Sequence, residues 1–166
     1  EHVEPAIRAL LAEAERGLMD LEASAKPTWA GLVEPVERLT DRLERAWGVV
    51  GHLLSVRNED ALRSAHEVVQ PDVVRFWMRF AQSAELYKAL CALRDGPELA
   101  RLDAAQRRIV EILIRDATLS GVGLEGEAKE RFTQNSLRLA DLATRFSNHV
   151  LDSTKAFALV LSERAD

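Results

Sequence analysis

The sequence predicts an all-α fold of about six or seven helices, the last of them long. Apolar residues recur at three- and four-residue spacing almost continuously along the 166 residues. No sustained two-residue alternation is present, and no Asn-Gly or Asp-Gly hairpin turn joins two alternating runs. Five prolines and eight glycines are all that punctuate the helical pattern.

The first helix is expected from about Glu4 and Pro5, because proline is tolerated in an opening turn. Its apolar face is Ile7, Leu10, Leu11, Ala14, Leu18 and Leu21, and Ser24 through Pro27 closes it. Thr28 is the expected N-cap of the next segment, and Pro35 marks a kink or a fresh start. Leu39, Leu43, Ala46, Val50, Leu53 and Leu54 then form one stripe that ends before Asn58. Asn58 is expected to cap a third helix, with Glu59 and Asp60 complementing the positive end of its dipole.

Pro71 is expected to break that third helix, so that Asp72 opens a separate stretch holding Val73, Phe76, Trp77 and Phe80. Ser83 is the expected cap of a piece carrying Leu86, Leu90 and Leu93, which Asp95-Gly96-Pro97 terminates. Asp103 should cap a run with Ile109, Ile112, Leu113 and Leu119, and Gly121 supplies its stop. The final helix is read from about Gly126 to Leu161. Phe132, Leu139 and Phe146 recur every seven residues along it, flanked by Leu142, Val150 and Phe157. Such a seam needs a partner helix, within the domain or beyond it, and reads first as ordinary core.

Length and composition fit a single helical domain over residues 1–166. Apolar residues are 47% and charged residues 30%, and the formal net charge is −5. That mild acidity, with bases dispersed along the chain, argues against nucleic-acid binding. The lone Cys91 can form no internal disulfide, and no apolar run approaches the roughly 18 residues of a membrane span. The opening Glu1-His2-Val3-Glu4-Pro5 has neither an initiator Met nor a signal-peptide core, so the numbering is expected to begin inside a longer chain or after trimming.

Chemistry-bearing motifs are few. Gly121-Val122-Gly123-Leu124-Glu125-Gly126 spells a dinucleotide fingerprint, but that chemistry requires a strand before the glycines, and a helix is expected there. A helix-to-helix turn is the expectation. His66-Glu67-Val68-Val69-Gln70 is one residue short of a zinc-binding H-E-x-x-H, since the neutral amide of Gln70 is a poor zinc ligand. A solvated histidine and glutamate on a helix are expected instead. His2, His52 and His149 lack the glutamate three residues earlier that di-iron bundles use. Cys91 lies on an apolar stripe as a buried, inert thiol, and Trp29, Trp47 and Trp77 are read as packing residues. Carboxylates and arginines alternating from Glu34 to Arg45 form a solvated helix face. No catalytic, cofactor-binding or metal-ligating residue is assigned.

Several segments, in order, resemble the N-terminal helical region of the thimet oligopeptidase and oligopeptidase A family of zinc metallopeptidases. They are Glu1-His2-Val3-Glu4-Pro5-Ala6-Ile7, Thr28-Trp29 with Leu32 and Pro35, and His52-Leu53 with Ser55-Val56 and Asn58. Leu62-Arg63 and Ala65, Leu86-Tyr87-Lys88, and Leu119 through Leu124 follow. Phe146-Ser147-Asn148-His149-Val150-Leu151-Asp152-Ser153-Thr154 is the most distinctive block.

The resemblance implies a mostly helical two-lobed enzyme whose deep channel admits short peptides, with this chain as roughly its first quarter. The family's zinc ligands and catalytic glutamate lie downstream and map onto no position here, so the segment alone is expected to hold no Zn2+ and to be inactive. It would wall the channel and pack against the catalytic lobe, leaving the Phe132/Leu139/Phe146 seam uncovered in isolation. The alternative is a stand-alone helical interaction module without activity. The cytosol is the expected compartment, or a mitochondrion or plastid if a transit segment was removed.

Overall fold

A computed structural model describes residues 2–160. Among these residues the chain forms six α-helices: α1 (Val3–Ser24), α2 (Glu34–Val56), α3 (Asp60–Ala81), α4 (Ala84–Asp95), α5 (Ala104–Leu119) and α6 (Gly126–Ala156). A π-helical turn over Trp29–Val33 precedes α2, and a 3-10 turn over Pro97–Arg101 precedes α5.

α1 packs against both α2 and α3, α4 packs against α5, and α6 lies along α3. The α1 face is the one its spacing predicts: Ile7, Leu11, Ala14, Leu18 and Leu21 are buried, with Leu10 partly so. They meet Leu32, Val33, Val36, Leu43 and Val50 around α2, and Val69, Val73 and Phe76 from α3. Leu86, Leu90, Leu93, Val110 and Ile114 extend this core through α4 and α5. Phe76, Trp77 and Phe80 form an aromatic cluster, with edge-on contacts at centroid separations of 5.3 Å (Phe76–Trp77) and 5.9 Å (Trp77–Phe80).

Local chemistry sets several boundaries. Thr28 Oγ1 accepts from the Gly31 amide at 3.0 Å, although the turn it caps is π-helical. Ser83 caps α4 by accepting from the Leu86 amide. Asp103 and Gln106 form a reciprocal capping box at the start of α5. Gly121, at φ +84°, ends the turn after α5 in a conformation that side chains with a Cβ seldom adopt.

Five expectations are corrected. Pro71 does not break the third helix; α3 runs through it. The missing amide and ring clash cost about 3 kcal/mol, but the buried stripe His66, Val69, Val73 and Phe76 continues in register across it. Each fully buried apolar side chain there contributes about 1.5–3 kcal/mol, so packing wins.

Asn58 does not cap α3. Its amide donates to the Leu54 carbonyl at 2.9 Å, finishing α2 instead, while its Oδ1 accepts from Arg63. The α5 stripe is rotated from the one predicted, with Leu119 exposed and Val110 and Ile114 buried, while the α2 stripe holds through Leu43 and Val50, loses only Leu53 to solvent and gains Val36. The last helix stops at Ala156, ahead of the expected Leu161, which lies outside the described residues. Finally, the seam on α6 is not the ordinary core its spacing suggests but uncovered, as the resemblance implies: none of its residues is buried, and Leu139 and Phe146 are each 69% exposed.

Candidate functional site

The feature that combines apolar surface with unsatisfied polar chemistry is a groove of about 640 Å³ where the end of α2, the middle of α3 and the second half of α6 converge. Leu54 lines one wall, Phe146 and Val150 the other, and His66 and Gln70 lie between. These positions follow from helical geometry. His66 and Gln70 are one turn apart on α3, and Phe146 and Val150 one turn apart on α6.

His66 corrects the sequence reading most directly. It is 8% exposed rather than solvated. Its ring stacks on Trp47 of α2 at 4.6 Å with planes 11° apart. Its Nδ1 is buried without a hydrogen-bond partner. Burial pushes the imidazole pKa below its ordinary value, against the smaller upward pull of the Glu67 carboxylate. The ring is therefore held neutral, as an aromatic packing element.

Polar contacts fasten α6 to α3 along one side of the groove. Gln70 Nε2 donates to Thr144 Oγ1 at 2.8 Å. Asn148 Nδ2 donates to the Glu67 carboxylate at 3.4 Å. Arg63 grips Asp152 with two nitrogens, at 2.8 and 2.5 Å. That hydrogen bonding holds the Asp152 carboxyl below its usual range. The sequence reading missed this clamp. Arg63 and Asp152 stand 89 residues apart, and nothing local in either segment signals the pairing.

The other singled-out residues do not join this groove as a reactive centre. The Gly121–Gly126 stretch is a turn between α5 and α6, as expected, with Gly121 and Gly126 both at positive φ. Gln82 Nε2 reaches across from the end of α3 to the Ser120 carbonyl at 2.9 Å and fixes that turn. Cys91 is half-buried against the core rather than fully buried. Trp29, Trp47 and Trp77 are partly buried packing residues. His52 and His149 are exposed on α2 and α6.

Among the described residues, no three His, Cys, Asp or Glu side chains stand close enough together to hold a metal ion. No helix of the described residues is long and apolar enough to cross a membrane.

Comparison with known proteins gives this architecture its context. A family profile described as the neurolysin/thimet oligopeptidase N-terminal domain matches residues 7–129. The chain is 42% identical over 165 residues to an organellar oligopeptidase A, chloroplastic/mitochondrial, of Arabidopsis thaliana, covering 99% of this chain and 21% of that protein. A probable cytosolic oligopeptidase A of the same plant is 41% identical over 99% of this chain and 24% of its own length. Oligopeptidase A of Escherichia coli is 35% identical over 100% of this chain and 25% of its own length. The chain thus spans about a quarter or less of these relatives. On the strength of the profile match and of identity running its whole length, the chain belongs to the neurolysin/thimet oligopeptidase family, in the region of the N-terminal domain.

Proposed function

We propose that the chain is the helical N-terminal lobe of a zinc-dependent oligopeptidase that hydrolyses short peptides, and that it is not catalytic alone. In this reading the lobe walls a substrate channel, admits short or extended peptides, excludes folded proteins and packs against the catalytic part. Whole-chain identity to oligopeptidase A proteins from a plant and a bacterium carries the reading. The uncovered apolar face of α6 supports it, since a face of this kind requires a neighbour. The zinc belongs to the catalytic part, outside these 166 residues. The proposed compartment is the cytosol, with an organelle as the alternative, since the plant relatives are named for each.

The test is to express the full product of the gene that encodes this chain. It should cleave a short quenched-fluorescence peptide, lose that activity on chelation and regain it with zinc, and leave a folded protein of the same cleavage sequence intact. Equal cleavage of the folded protein would overturn the channel role. No cleavage of either substrate would overturn the peptidase reading.

A further inference from the structure

We propose that α6 is not the last helix of this lobe but the leading helix of the unit that follows, and that its Leu139/Leu142/Phe146/Val150 stripe is seated in the catalytic part. The proposal rests on the peptidase reading above and specifies the surface at which the two parts meet.

Three independent observations carry it. The first is the core: its buried residues, and the partly buried ones packed against them, run from Val3 to Ile114 and include no residue of α6. The second is the way α6 is held. Its hydrogen bonds to α3, Arg63–Asp152, Gln70–Thr144 and Glu67–Asn148, lie on the face that also carries the half-buried Leu137 and Leu151, whereas the stripe from Leu139 to Val150 stays uncovered. Leu139, Leu142, Phe146 and Val150 are 69%, 44%, 69% and 49% exposed. They share one face at helical spacing, a stripe of the width that a core-facing helix presents. The third is the extent of similarity. The N-terminal-domain profile stops at residue 129, the fourth residue of α6, while identity to the oligopeptidase A proteins continues through its whole length. The Gly121–Gly126 turn, with positive φ at both ends, is then the boundary between units.

The occupant of the stripe is the polypeptide that in the relatives makes up the remaining three-quarters or more of the molecule. Being in the same chain, it meets α6 at a high effective concentration. The groove beside His66 shares Phe146 and Val150 with the stripe, so the apolar surface offered to that polypeptide continues into it.

Hydrogen exchange, read segment by segment, tests this. In the 166-residue chain, amides over 130–156 should exchange on the order of 100-fold faster than those of α1, because local opening of α6 leaves the core intact. In the full gene product they should slow to the α1 rate. Phe146→Asp with Val150→Asp should leave the melting temperature of the short chain unchanged and restore fast exchange over 130–156 in the full product.

Equal protection of α6 and α1 in the short chain, with a lowered melting temperature in the double variant, would make α6 part of the lobe's own core and overturn the proposal. Concentration-dependent dimers that protect the stripe would overturn it in favour of a second copy. A full product that cleaves peptides yet leaves α6 fast-exchanging would sink this inference alone. A full product that protects α6 yet cleaves nothing would support the surface and sink the peptidase reading.

Discussion

Replacing His66 with phenylalanine should stabilise the protein, although the residue is buried and in contact. The ring stacks on Trp47, and phenylalanine keeps that stack. What it removes is the buried Nδ1, which has no partner and bears a desolvation penalty of about 1–3 kcal/mol. The larger ring brings an overpacking cost of about 1 kcal/mol or less, because the groove alongside is open. The net expectation is a gain of about 1 kcal/mol, which raises the melting temperature of a domain this size by about 2–4 °C.

The pH dependence gives a second readout. His66 has a lowered pKa in the folded chain and titrates near about 6.5 when unfolded. Between the folded value and about 6.5 the unfolded chain binds more protons, so stability falls as pH drops through that window and rises as it climbs. Thermal melts at about pH 7.5 and about pH 5.5 should therefore show a loss in the parent that shrinks in His66→Phe. A variant less stable at both pH values, or one with an unchanged loss, would refute this account of the Trp47–His66 contact.

The rest of the fold makes comparable demands. Gly121→Ala meets both a positive φ and a Cβ position 2.7 Å from Leu124 Cδ1, so it should cost about 1–2 kcal/mol or more in urea unfolding. Glu22 accepts from Arg79 and from Ser83 Oγ, and these bonds, chiefly the one from Arg79, hold its carboxyl below the usual range. Its contribution is fully present above about pH 4.3 and is lost as pH falls through the lowered folded value, so Glu22→Gln should flatten the acid limb of the stability curve below about pH 4.

Features decided within a few residues were legible in the sequence. Thr28, Ser83 and Asp103 cap where they were expected to, because a side-chain oxygen and an orphan amide need only local geometry. The α1 stripe and the Gly121 stop were readable for the same reason. Pro71 was misread because its local penalty is outweighed by burial on both sides of it, which single-helix reasoning does not count. Asn58 was misread because two chemistries compete for one amide side chain, and the end of α2 wins. The burial of His66 depends on Trp47, a residue on another helix, and the Arg63–Asp152 clamp depends on how α6 crosses α3. Periodicity showed that α6 has an apolar face, but not that the lobe leaves it uncovered.

The central claim is that this chain is a folded lobe of a peptidase and not the peptidase itself. The most direct measurement is cleavage of a short quenched peptide by the purified 166-residue chain, with added zinc and again with chelator. The account predicts no turnover in either condition and no stoichiometric zinc. Zinc-dependent turnover that follows the protein through purification and vanishes on chelation would contradict it, and His52, His66 and His149 would be the first side chains to replace.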